Sequence, residues 1–129
     1  MPTPERADAL AEPKLAVANI VGHRAFYEAF QPDFVKLMSD GYFIYPNQGL
    51  AEINSAADFA RIRPLGENHP WIQQQISLVK QLQEIFGQEV LTFYNVFAPA
   101  RVLEWSLANW RCGLLGDLIA EDKAAVKAG

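Results

Sequence analysis

The chain has 129 residues, half of them hydrophobic, 20% charged and 12% aromatic, a composition that supports one packed domain rather than a disordered chain. A net charge of −4 excludes the basic footprint of a nucleic-acid binder and disfavours an anionic membrane surface. No apolar run approaches the roughly 18–20 residues of a spanning helix, and the opening "MPTPERADALAEPK" carries acids and no apolar leader core.

Cys112 is the only cysteine, and His23 and His69 are the only histidines. One thiol closes no intrachain disulfide, and the set offers no zinc-site spacing. A reducing, cytoplasmic setting without a zinc site is the expectation.

Residues 1–13, with Pro2, Pro4 and Pro13, read as an arm, and 14–129 as the folded segment. From Lys14 the apolar positions Leu15, Val17, Ile20, Val21, Phe26, Tyr27 and Phe30 recur at helical spacing. That helix stops ahead of Pro32, because a residue before proline is pushed out of the helical region. "DFVKLM" is a short strand, apolar at nearly every position, as expected when both faces are covered. "AEIN" is extended or a short strand. In "SAADFARIRP", Ser55 and Asp58 form a variant capping box that opens a two-turn helix. Pro70 then starts a longer helix with Trp71, Ile72, Ile76, Val79, Leu82, Ile85 and Phe86 on one face, closed by Gly87.

"EVLTFYNVFAP" is the clearest strand, "ARVLEWSLANW" is helical, and Asp122 caps a last helix in "KAAVKAG". Trp71, Trp105 and Trp110 read as core or interface, and His69 as solvated. Alternation of strands and helices predicts an α/β fold with parallel strands. Two strands leave both edges unpaired, which implies a partner chain or self-association as a homo-oligomer.

The stretch "KLMSDGYFIYPN" raises the functional question. Asp40-Gly41 has the composition of a turn. It also stands past the C-terminal end of a predicted parallel strand, where α/β proteins bind ligands. Tyr42, Phe43 and Tyr45 offer apolar walls around it, and burial there would tune the carboxylate to stabilise a cation or move a proton. Tyr94 and Asn95, at the end of the second strand, are candidates for the same pocket. Arg101 opens the next helix, where an anion would be welcome. No phosphate-binding glycine loop and no G-x-S-x-G elbow occur.

Four segments in order, "FYEAFQPDFVKLMSDGYFIYP", "EINSAADFARIRPL", "VLTFYNVFAPARVLEW" and "DLIAEDKAAVKAG", resemble the uroporphyrinogen decarboxylase family in its broad sense. That superfamily also holds cobalamin-dependent methyltransferases. The resemblance implies part of a (β/α)8 barrel, about two to three early β/α units with extra helices. A whole barrel takes about 250 residues, so the chain would be an incomplete, non-catalytic or self-associating piece on this reading. It further implies cofactor-independent removal of carboxylates from a tetrapyrrole-like substrate, a carboxy-lyase activity of porphyrin and heme biosynthesis. Ser39-Asp40 matches the family's Ser-Asp, which puts on Asp40 the role of binding pyrrole N–H groups and stabilising the cationic intermediate. Ser39, Tyr42, Tyr45, Tyr94, Asn95, Arg101 and Trp105 would line the substrate.

Two departures accompany the match. The family's arginine-rich strand has no counterpart in residues 1–13, which hold only Arg6. Trp105 stands where the family has a substrate-contacting tyrosine, and indole donates a hydrogen bond but accepts none.

Overall fold

The computed structural model describes residues 12–88, 90–107 and 113–128. Arg6, Trp110, Cys112 and most of the expected N-terminal arm lie outside them. The elements are α1 (Lys14–Phe30), β1 (Phe34–Leu37), α2 (Gln48–Ala51), a 3-10 helix (Ala56–Arg61), α3 (Pro70–Phe86), β2 (Leu91–Tyr94), α4 (Pro99–Ser106), α5 (Leu114–Glu121) and α6 (Lys123–Ala128). The chain divides into two compact units. One takes the described residues up to Tyr42 together with Glu67–Val96, and the other takes Phe43–Gly66 with the described residues from Phe97 onward.

In the first unit β1 and β2 pair in parallel, Phe34 opposite Leu91 and Leu37 opposite Tyr94, with α3 as the crossover. Val35 and Leu37 of β1 meet Leu78, Leu82 and Phe86 of α3, together with Tyr42 and Val90, in one core. The α3 stripe is thus spaced by fours, which puts it on a single face. Leu78 belongs to it and Ile76, expected there, is exposed. His69 is not merely solvated: its Nδ1 accepts from the Trp71 N–H at 3.2 Å and so caps α3 ahead of Pro70. Gly87, at φ 63°, closes the helix where a Cβ would be strained.

The barrel expectation is overturned. Helices make up 59% of the described residues, and the sheet has two strands joined by a single crossover. The strand burial explains the difference physically. β1 alternates exposed and buried, with Phe34 57% and Val35 1% exposed, the signature of a sheet covered on one face. A barrel strand is enclosed on both faces by helices and by the packed interior. The near-continuous burial expected for "DFVKLM" is therefore absent, and β2 ends at Tyr94 rather than running on to Pro99.

Helix α1 explains how the outer side of β1 is finished. Leu15, Ile20 and Tyr27 pack against the core, whereas Val17, Val21, Phe26 and Phe30 of the expected apolar face are exposed. Asn19, the buried residue of α1, donates from Nδ2 to the Met38 carbonyl at 3.1 Å. One turn on, His23 Nε2 accepts the Met38 N–H at 3.0 Å, and its Nδ1 lies 2.8 Å from the Asn19 carbonyl. An Nε2 that accepts leaves the proton on Nδ1, which then donates to that carbonyl. Both backbone groups of Met38, the first residue past β1, are satisfied by this clamp.

The second unit packs Leu50, Ile53, Phe59, Leu107, Leu115 and Leu118 into its own core. "AEIN" is not a strand: Ala51 ends α2, which Asn47 caps by accepting the Gly49 N–H at 3.1 Å. Asp58 is held low by the N–H groups of Asn54 and Ser55, then by the Ser55 hydroxyl and the Arg61 charge. The carboxylate thereby stitches the start of the 3-10 helix, as the capping-box spacing implies. Asp122 Oδ1 accepts from Ala124 and Ala125 and caps α6.

Replacing His23 by Ala leaves the Met38 N–H without its acceptor, a loss of about 1–3 kcal/mol for a desolvated donor. Urea denaturation should show that drop at an unchanged m-value. Wild-type stability in His23→Ala would mean that the clamp carries no weight.

Candidate functional site

Met38 lies at the end of the clamp, and the chain turns two residues later. The Tyr42 N–H donates to the Ser39 carbonyl at 3.0 Å, which makes Asp40-Gly41 the centre of a four-residue turn. Gly41 has φ 92°, a conformation that favours glycine at the third position. The Asp-Gly pair is therefore a turn, and the turn presents its acid outward: Ser39 is buried and Asp40 exposed.

Asp40 lines an open cleft of about 460 Å³ in the first unit. One wall is α1, with Ala18, Gly22 and Phe26 beside the clamp residues Asn19 and His23. The other is the uncovered face of β1, with Phe34 and Lys36, followed by Met38. Asn19 Oδ1 is buried and has no hydrogen-bond partner among the described residues, an acceptor left over after Nδ2 binds Met38. Among the described residues neither Lys36 nor Asp40 forms a salt bridge. The cleft thus combines apolar walls with one cation and one anion.

Tyr94 ends β2 opposite the buried Leu37 and faces α3, where it lines a separate pocket with Gln75, Ile76 and Val79. Its phenol donates to Gln75 Oε1 of α3 at 3.0 Å. Burial pushes its pKa up to about 12, the charges of Tyr42 and Asp40 push the same way, and the Ser39 hydroxyl acts in the opposite direction. Tyr94 accordingly stays neutral at any physiological pH. Asn95 carries the parallel ladder one step further, donating its N–H to the Leu37 carbonyl at 2.8 Å, and its Nδ2 is buried without a partner among the described residues.

The predicted site residues thus divide. Ser39, Asp40, Tyr94 and Asn95 stand at the C-terminal edge of the parallel pair, Asp40 on the α1–β1 cleft and Tyr94 on the side of α3. Tyr42 is in the same unit but belongs to its core, 3% exposed, with its ring edge-on to Trp71 and its OH 3.4 Å from Gln74 Oε1. Burial raises its pKa as well. Tyr45, Arg101 and Trp105 lie in the second unit. Tyr45 donates its N–H to Ser106 Oγ and accepts the Leu65 N–H at its phenol, both at 2.8 Å. Arg101 pairs with Glu104, one turn along α4, at 2.6 Å. Trp105 stacks edge-on with Phe43 and Phe97 at 5.8 and 5.0 Å.

Sequence reasoning missed Asn19, His23 and Lys36. A signal was present: Asn19 and His23 are four apart, so they share a helix face with Leu15 and Tyr27. Polar residues on the inward face of a helix need partners.

Among the described residues no group of three or more His, Cys, Asp or Glu stands where it could hold a metal, and no helix is long and apolar enough to cross a membrane. No family model, curated protein or solved structure matches the chain.

The raised Tyr94 pKa predicts an alkaline weakness. A neutral phenol favoured by folding contributes fully below its unfolded value near 10, and that contribution fades as pH rises toward about 12. Ultraviolet absorbance should find the latest-titrating phenol, near pH 12, lost in Tyr94→Phe while the raised Tyr42 phenol remains. An unchanged late step in that variant would assign the shift elsewhere.

Proposed function

We propose that the chain acts on porphyrinogens in the manner of the uroporphyrinogen decarboxylases, with Asp40 as the acid that meets the substrate's pyrrole N–H groups. The observation that carries this reading is the position of Asp40. It is exposed, fixed by a glycine turn, and lies at the C-terminal edge of a parallel strand pair in an apolar-walled cleft. The ordered resemblance of four segments supports the same residue, and the reading asks for no closed barrel.

The chemistry suits a carboxylate that needs no cofactor. A proton added to the pyrrole ring makes a cation. The C–C bond to the acetate carboxyl then breaks, its electron pair neutralises the ring and CO2 leaves. A second proton added at the exocyclic carbon gives the methyl group, and the ring proton is released, so one proton is consumed per CO2. A preorganised anion near the ring lowers the energy of the cationic stage most where water is scarce.

The test is loss of carboxylate from uroporphyrinogen under anaerobic conditions. Asp40→Asn keeps the shape of the side chain and removes its charge, so turnover should fall by roughly 100-fold or more while the circular dichroism melt stays put. Equal turnover by Asp40→Asn, or none by the wild-type chain, would contradict the proposal.

A second reading has its own support. Phe34, Leu91 and Phe93 lie on the uncovered sheet face, 57%, 72% and 46% exposed, and Val96 follows at 77%. Isolated exposed apolar residues are ordinary, but a contiguous set marks a surface that associates. A self-associating module would bury this face against a second copy. Sedimentation velocity should then show a concentration-dependent oligomer that Phe93→Lys abolishes. A monomer at every concentration would remove the second reading and leave the first intact.

A further inference from the structure

We infer that Lys36 is the anchor for a ligand carboxylate in the α1–β1 cleft, so that the cleft takes a molecule bearing a carboxylate and an N–H donor on an apolar body. The inference rests on the assignment of Asp40 as the N–H acceptor and adds the other end of the ligand.

Lys36 is out of character with its surroundings. Its neighbours on the open face are Phe34, two residues back, and Phe93, its Cα partner across the sheet, whose rings lie 6.0 Å apart. Of the eight residues in β1 and β2 it alone is charged. A lysine on a two-stranded sheet is often an edge protector, its head in water and its stem on apolar surface. Lys36 also lines the same cleft as Asp40, however, and neither is neutralised by another described side chain. At strand spacing the four steps from Lys36 to Asp40 span at most about 13 Å, and the lysine stem shortens the gap between the charges.

Opposite charges at two ends of an apolar trough select a ligand with the complementary order. Its carboxylate meets the ammonium, its N–H meets the Asp40 carboxylate, and its flat body lies against Phe26 and Phe34. A pyrrole with acetate or propionate substituents has all three features in one rigid frame. Asn19 Oδ1, buried beside the cleft without a partner among the described residues, is a further acceptor within the same wall. A ligand without a carboxylate would leave the ammonium unmatched, and one without an N–H would set its own lone pairs against Asp40.

The experiment measures binding to the full chain by calorimetry with two probes, a monopyrrole carrying acetate and propionate side chains and the same pyrrole with both acids converted to primary amides. The acid should bind wild type and Lys36→Arg comparably. Lys36→Met should lose about tenfold or more for the acid, the scale of a charge-assisted contact, and nothing for the amide. Unchanged acid affinity in Lys36→Met alongside a loss in Asp40→Asn would overturn the lysine anchor and keep the Asp40 reading. Unchanged affinity in both variants would overturn both. Equal losses for acid and amide in Lys36→Met would make Lys36 structural, and failure of the acid to bind wild type would also reject the anchor.

Discussion

Two side chains of one helix hold both backbone groups of a single residue, and the candidate site hangs from that grip. Asn19 takes the Met38 carbonyl and His23 its N–H. Strand β1 has an outer edge whose polar groups would otherwise face water or recruit another chain. The clamp finishes the edge where β1 stops and fixes α1 across it. A clamp of this kind is demanding, because a buried donor or acceptor left unpaired costs more than a hydrogen bond contributes. Met38 is therefore constrained, and the Ser39–Tyr42 turn starts from a defined point.

The position of Asp40 follows from that constraint. Held as it is, the chain buries Ser39, exposes Asp40 and returns Tyr42 to the core against Trp71 and Gln74. The question of whether Asp40 belongs to a turn or to a site thus has a joint answer. A glycine turn that costs nothing at positive φ is a rigid mount for a carboxylate, and rigid mounting gives a charged group its leverage on a ligand. Tyr94 and Asn95 reach the same edge from β2, so the acid, a neutral phenol and an amide come from two strands that only the parallel pairing brings together.

What the sequence made legible was local. Pro70, Gly87, the Ser55–Asp58 pair and Asp122 each act through neighbours within a turn of chain, and each forms the predicted start or stop. Parallel pairing of the two strands was legible from their separation by a helix. The covering of the sheet was not. Phe34 reads as buried because "DFVKLM" is apolar at nearly every position, yet it faces outward here, as do Leu91 and Phe93. A composition cannot say which face of a short strand is left open. His23 was missed for a related reason, since its partner is a backbone group 15 positions away and no side-chain motif announces it. The scatter of the aromatic loop was equally hidden, with Tyr42 in one core and Tyr45 in another.

The proposed decarboxylase reading puts its weight on Asp40, and the clamp is the physical reason that residue is held exposed at the cleft. Nuclear magnetic resonance of the folded, 15N-labelled chain at mildly alkaline pH tests this most directly. A coupling across the hydrogen bond from the Met38 amide nitrogen to His23 Nε2, with the imidazole proton on Nδ1, is the result the account predicts. A proton on Nε2, with no coupling to Met38, would mean that α1 does not hold the end of β1.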